Sequence, residues 1–402
     1  MILCRVVDNY GDIGFVYRLA RSLSLLEPSL KLALVVSNME SFASMAPGID
    51  SSKPRQEYCG WTVLDWNDAA VCTRYCKGRT PQFVLECFQC GRPDWLEKLL
   101  FEDNKDGSLG VVTVINVEYL TAEAWADDFH LLKGGTRSRF VKKWNFMPGF
   151  SPRTGGLVLD QTFLNSLANH KNAIEQLAPF LPGVDLSDDS FKVVFFSYTK
   201  NCTGVVRALE QFGKIRPVRV FVAPGLGREP FMSVLPEVTS CSYALLPQLP
   251  QTAWDALLTL SDFNFVRGED SFSRAALCGV PFVWDAYRQD GEFQMVKADA
   301  FVQRLKQFSS ECRITIGRLF ALYNRCYEVV PGEEADTVLD QYRDFPRNGD
   351  DAQKEIEELL HMIFCKYDLF RTYFAEFADR LIANGDLGAH LLEFMGKLST
   401  GS

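Results

Sequence analysis

Histidine is scarce in this chain: His130, His170, His361 and His390 are the only four among 402 residues, and no pair has metal-ligand spacing. A metal held by paired imidazoles is therefore not expected. Cations are the minority charge, 42 Lys and Arg against 51 Asp and Glu, for a formal net charge of −9. Sequence-independent affinity for nucleic acid needs clustered Lys and Arg, so no nucleic-acid partner is expected. No run of about 18 apolar residues occurs, which removes a transmembrane helix and a membrane partner from the expectations. Met1-Ile2-Leu3-Cys4-Arg5 leads straight into a strand-like segment, without a signal peptide's charged start and cleavage site, and points to the cytoplasm. Neither a Walker A string nor an intact G-x-G-x-x-G follows any strand; Gly225-Leu226-Gly227 lacks the third glycine.

What remains is ordinary globular material, 47% hydrophobic and 23% charged. Its length exceeds what one hydrophobic core usually organises, so two domains are expected. Of twelve cysteines, Cys4, Cys241, Cys278 and Cys326 sit inside apolar patterns, as reduced core residues do, and no disulfide framework is visible. Cys72, Cys76, Cys87 and Cys90 have a spacing that could surround zinc. Cys87, however, continues the apolar strand Phe83-Val84-Leu85, and the turn chemistry of a zinc knuckle is absent, so packing is the preferred reading. The one basic stretch, Arg137, Arg139, Lys142 and Lys143, reads as a solvated helix face.

Short apolar runs typical of buried parallel strands appear at 2–7, 31–36, 62–64, 83–86 and 111–117, with helical patterns between several of them. In 13–26, Ile13, Val16, Tyr17, Leu19, Ala20 and Leu23 form an apolar face that leaves Arg18 and Arg21 largely outside. A second β/α series runs through 191–196, 218–222, 242–246, 262–266 and 280–284. The turn-rich stretch from Met147 to Gly183 reads as the connection between the two, and from Ser310 onward the pattern is helical. The fold class expected is α/β, with two facing Rossmann-like domains whose strand ends line a cleft.

Two constellations carry chemistry. Strand 2–7 runs into Asp8-Asn9-Tyr10-Gly11-Asp12-Ile13-Gly14, which sets Asp8 and Asp12 at the carboxyl edge of the first sheet, where ligands of open α/β sheets bind. Catalysis and helix capping are both open to these aspartates, and capping explains one more easily than two. In the second, Asp262 to Ala275 reads as a strand, a tight turn at Gly268 and a helix start with Glu269, Asp270 and Ser271 in its first turn. Free amides there would hold an anion such as a diphosphate. The alternative is again a cap, Asp270 or Ser271, with Arg267 paired to a carboxylate. No Asp-x-Asp triplet occurs, the commonest arrangement by which glycosyltransferases hold a metal against a donor diphosphate, so neither metal nor cofactor is expected.

Four strings in order, CRVVDNYGDIG (4–14), INVEYL (115–120), FMPGFSPRTGGL (146–157) and DFNFVRGEDSFSRAALCGVPFVW (262–284), resemble the EarP family, bacterial protein-arginine rhamnosyltransferases that modify elongation factor P. The resemblance covers nearly the whole chain. It implies a GT-B fold with an acceptor-binding domain over 1–165, completed by about 370–402 as the C-terminal helices cross back, and a nucleotide-sugar domain over 188–365. It implies transfer of rhamnose from dTDP-β-L-rhamnose, a co-substrate, to an arginine of elongation factor P with inversion.

By the same resemblance Asp12 matches the general base and Asp8 its neighbouring carboxylate. Tyr198, Gln251, Glu269, Asp270 and Ser271 fall on donor-binding positions, and Trp254 stands at an aromatic position where phenylalanine is common. The loop 285–289 reads Asp-Ala-Tyr-Arg-Gln where the family has His-Ile-Tyr-Pro-Gln, and Gly332 to Asp351 matches nothing in the pattern. A catalytically silent module that binds elongation factor P or a nucleotide, and a GT-B transferase with another acceptor, stand as alternatives.

Overall fold

The central strands form from continuous rather than alternating apolar runs, the pattern of parallel strands buried on both faces. Val112–Val117 and Phe191–Phe195 are buried at every position. The computed structural model describes residues 1–6, 11–327, 346 and 348–400. Asp8 and most of Gly332 to Asp351 lie outside the described residues. The chain divides into two units, Met1–Asp160 with Asn384–Ser402, and Gln161–Ala383.

The first unit holds β1 (Ile2–Cys4), β2 (Ala33–Val36), β3 (Arg55–Tyr58), β4 (Trp61–Asp65), β5 (Phe83–Cys87), β6 (Val112–Val117), β7 (Lys133–Gly134) and β8 (Val141–Phe146), in the order β3-β4-β2-β1-β5-β6-β8-β7. Only the edge strands β3 and β7 pair antiparallel. The chain builds outward from β1 through β2 and β4, then returns to β5 on β1's other side, so the order reverses between β1 and β5. That reversal opens a crevice at the strands' carboxyl ends. The helix Leu387–Thr400 belongs to this unit, and its Leu387 and Leu391 share a core with Ile13, Val16 and Leu19 of the helix Gly11–Leu26.

Three readings of this unit need correction. Arg18 is not outside the apolar face: it is buried at 1% exposure in the helix Gly11–Leu26, which is covered on more sides than its periodicity suggests. The basic stretch is not a helix face, since Lys142 and Lys143 lie in β8 and the cations find carboxylates on neighbouring segments, Arg137 at 2.7 Å from Glu97 and Lys143 at 3.6 Å from Glu86. Part of the expected connection is integral to the unit. Gly155 donates its N–H to Met147 O at 2.8 Å, and Leu387 donates to Leu157 O at 2.9 Å.

The second unit holds β9 (Phe191–Phe195), β10 (Val218–Val222), β11 (Ser242–Leu245), β12 (Phe263–Arg267) and β13 (Phe282–Asp285), all parallel, in the order β11-β10-β9-β12-β13. Its reversal falls between β9 and β12. The helices Gln161–Ala168 and His170–Leu177 pack on the helix Gln251–Leu260 and so belong to this unit.

Candidate active site

Asp12 follows β1 in the first turn of the helix Gly11–Leu26 and is 3% exposed. It is the second residue inside the helix rather than the residue before it, so it is not the cap. Its negative charge is favoured by the helix N-terminus. The Tyr119 hydroxyl donates to Asp12 Oδ1 at 3.2 Å. Tyr119 stands just beyond β6, and its ring stacks on Phe88, centroids 4.2 Å apart and planes 15° apart; Phe15 packs on Phe88 from the helix side at 5.2 Å.

The chain end of β5 is unusual. Phe88 and Gln89 both take left-handed backbone angles, φ 61° and 49°, which bulky residues seldom adopt. The turn is held by Phe88 N–H to Val117 O at 2.8 Å and by Gln89 N–H to Asn116 Oδ1 at 3.2 Å. Gln89 Nε2 and Asn116 Nδ2, the latter at 2.6 Å, donate to Glu118 Oε1. Burial pushes the Cys4 and Cys87 thiols well above their ordinary range, and the Asp12 charge adds to both shifts, as a carboxylate close to β1 and β5 must.

In the second unit β12 ends at Arg267, and Gly268 turns the chain with φ 71° and ψ 162° into the helix Glu269–Cys278. That region is open essentially to glycine alone. Gly268 is the cap residue and supplies no side chain, so neither Asp270 nor Ser271 caps the helix. Ser271 Oγ instead accepts from Trp254 Nε1 at 3.1 Å, and Gln251 Nε2 donates to Asp270 Oδ2 at 3.4 Å. Glu269 lies 4.0 Å from Lys297. The Arg267 guanidinium lies over both the Phe196 and the Tyr198 ring, 4.6 and 4.7 Å from their centroids. Trp254 packs on Phe196 at 5.1 Å and Tyr287 meets Tyr198 edge-on at 5.7 Å. Tyr198, Gln251, Trp254, Asp270 and Ser271 are thereby linked around the reversal of this sheet, with Glu269 beside them.

Sequence comparison decides the family. The description "Elongation-Factor P (EF-P) rhamnosyltransferase EarP" matches residues 1–396. The chain belongs to the EarP family. A protein-arginine rhamnosyltransferase of Shewanella oneidensis is 30% identical over 323 residues, 75% of this chain and 79% of that protein. Another from Pseudomonas putida is 31% identical over 318 residues, 75% and 80% of the respective chains. A structure described as the basis for EarP-mediated arginine glycosylation of translation elongation factor EF-P superposes with a TM-score of 0.53 at 20% identity, covering 98% of this chain and 97% of that one. The Neisseria meningitidis UDP-GlcNAc 2-epimerase bound to UDP-GlcNAc has the same TM-score at 13% identity, covering 99% and 100%.

The fold of this EarP-family member is accordingly α/β of the GT-B type, and its class is that of an enzyme, a protein-arginine rhamnosyltransferase. Cys72 and Cys76 lie on the helix Ala69–Cys76, where burial pushes their thiols up to about 12 and about 11; burial likewise takes Cys90 to about 11. Such thiols stay protonated packing groups. Among the described residues no helix is long and apolar enough to cross a membrane. Sequence reasoning assigned no role to Tyr119, Phe88, Gln89 or Lys200, and marked Asp285 only as the start of the loop 285–289 that departs from the family pattern. Tyr119 sits in the string INVEYL, whose length was the one signal that could have found it.

Proposed function

We propose that this chain transfers rhamnose from dTDP-β-L-rhamnose to one arginine side chain of elongation factor P in the cytoplasm, with inversion at the anomeric carbon. The observation that carries the reading is Asp12, a buried carboxylate beside the reversal between β1 and β5 with one oxygen tied to the Tyr119 hydroxyl. Family membership supplies the acceptor chemistry.

An arginine guanidinium loses its proton only above pH about 12 and is a poor nucleophile while its lone pair is delocalised. Asp12 would hydrogen-bond the attacking nitrogen, localise that pair and accept the proton as the nitrogen–carbon bond forms. Asp8, from the same loop, would orient the guanidinium. The bond between the anomeric carbon and the phosphate oxygen breaks with its electron pair on the departing dTDP. The backbone amides in the first turn of Glu269–Cys278 and the Ser271 hydroxyl would stabilise that diphosphate. Tyr198 and Trp254 offer ring faces to the nucleotide, and Gln251, Glu269 and Asp270 offer acceptors and donors to ribose or sugar hydroxyls.

The test is intact-mass spectrometry of elongation factor P incubated with the purified protein and dTDP-β-L-rhamnose. One added deoxyhexose, mapped to arginine, is expected; Asp12→Asn should bind donor and transfer nothing. An unmodified factor that still forms a complex would point to a silent module, and donor consumption without modification to another acceptor. An Asp12→Asn variant with near-native turnover would remove the base assignment.

A further inference from the structure

Next to the loop that carries Tyr198 lies a buried charge cluster whose two ionic members, Asp285 and Lys200, are not among the site residues expected from sequence. Asp285, the last residue of β13, is 4% exposed and Lys200 is 5% exposed, with Lys200 Nζ 2.7 Å from Asp285 Oδ1. Asp285 Oδ2 accepts from Ser197 Oγ at 2.6 Å and from the Tyr198 backbone N–H at 2.8 Å. Lys200 also donates to Tyr323 O at 2.8 Å and lies 3.8 Å from that ring's centroid, while the Tyr323 hydroxyl donates to Ser197 Oγ at 3.0 Å. One carboxylate therefore gathers three donors from the four-residue loop 197–200, and both of its oxygens are engaged.

The arrangement is a poor device for stability alone. Burying a carboxylate and an ammonium carries a large desolvation penalty, and a packed apolar pair in their place is often as stable or more so. What apolar side chains could not do is hold the Tyr198 N–H and the Ser197 hydroxyl at fixed points, since only an acceptor with directed lone pairs does that. Tyr198 is the residue whose ring, with that of Phe196, receives the Arg267 guanidinium, and it meets Tyr287 from the loop that follows β13. The same loop is approached closely by the turn after β10, where a Cβ on Gly227 would lie 2.5 Å from Ser197 O. The loop 197–200 thus has a close neighbour at Gly227 and three hydrogen bonds to Asp285.

We infer that Asp285 is a positioning residue for the donor, holding the Ser197–Tyr198 loop at the angle that presents Tyr198 and Arg267, with Lys200 as the counter-ion that makes its burial tolerable. The inference rests on the reading of Tyr198 as donor-binding. It also gives Asp285 a task in the segment 285–289, where this chain departs from the family pattern it resembles.

The experiment compares two double variants that both remove the ion pair. Lys200→Met with Asp285→Asn keeps an acceptor for Ser197 and Tyr198; Lys200→Met with Asp285→Leu does not. Thermal unfolding, dTDP binding by calorimetry, and steady-state kinetics with donor and elongation factor P varied separately are measured on each full chain. The Asn variant should keep the donor KM within about three-fold of native, whereas the Leu variant should raise it roughly ten-fold or more. For both, kcat at saturating donor and the acceptor KM should stay near native. A Leu variant with native donor KM, or equal losses in both variants, would overturn the inference. Should the Leu variant fail to fold, Ser197→Ala decides: a donor KM at least about three-fold higher at constant kcat supports the clamp, and an unchanged KM removes it. If the native protein binds no dTDP, the donor-site reading itself has failed, a result separate from either.

Discussion

Tyr119→Phe deletes one hydroxyl and leaves the ring stacked on Phe88. In the native chain that hydroxyl donates to Asp12 Oδ1 at 3.2 Å. A hydrogen bond to a charged group contributes about 1.5–3 kcal/mol in general. Two features lower the figure here. The distance is long for an O–H···O bond, and Tyr119 is 39% exposed, so water can replace part of what is lost. About 0.7–1.4 kcal/mol remains, which, if the bond acts by aiming Asp12, lowers kcat roughly three- to ten-fold. The donor KM should not move. The assay is single-turnover conversion of elongation factor P at saturating donor, read by intact mass, beside the thermal unfolding midpoint, which should stay close to native. A native rate would show that Tyr119 does not orient the base. A loss as deep as that of Asp12→Asn would show that the hydroxyl acts directly on the substrate, and would refute the reasoning as firmly.

Gly268→Ala puts a Cβ on a backbone with φ 71° and ψ 162°; the strain, of order 1–3 kcal/mol, should appear as a lower urea midpoint together with weaker dTDP binding, and native values for both would show that the turn needs no glycine. Ser271→Ala leaves Trp254 Nε1 without its partner at 3.1 Å; a loss near 1 kcal/mol should raise the donor KM about five-fold, with the acceptor KM unchanged as the control. Burial, assisted by the charge of His390, holds His130 down to about 4 from 6.5, so the folded form keeps it neutral while the unfolded chain takes up a proton. Its contribution to stability is therefore complete above pH 6.5 and is lost as pH falls toward about 4. His130→Gln keeps an acceptor for the Met147 N–H and should flatten that part of the pH dependence in urea unfolding; an unaltered slope would place its origin elsewhere.

Much of this protein is local and therefore legible from residue order. Strands buried on both faces must be apolar throughout, and helices must repeat near 3.6, so both β/α series, the loop bearing Asp12 and the glycine turn at 268 could be read directly. Strands at the sheet's edge or next to it escaped notice for the same reason. β3, with alternating exposure, and β8, with polar residues between buried ends, lack the apolar run. Periodicity misplaced Arg18 because a buried cation is decided by what lies across from it, not by its own helix.

The chemistry of the site divides in the same way. Residue types and strings alone placed Asp12 and the Glu269–Ser271 turn at the carboxyl ends of strands, which topology makes the binding edge of any open α/β sheet. Only the tertiary structure brought Tyr119 to Asp12 across 107 positions and Asp285 to Lys200 across 85. Such pairings rest on directed hydrogen bonds between segments far apart in the chain, and no pattern within either segment records its partner. The order of residues placed the candidate site at those strand ends; the packing of distant loops decided how its side chains are held there.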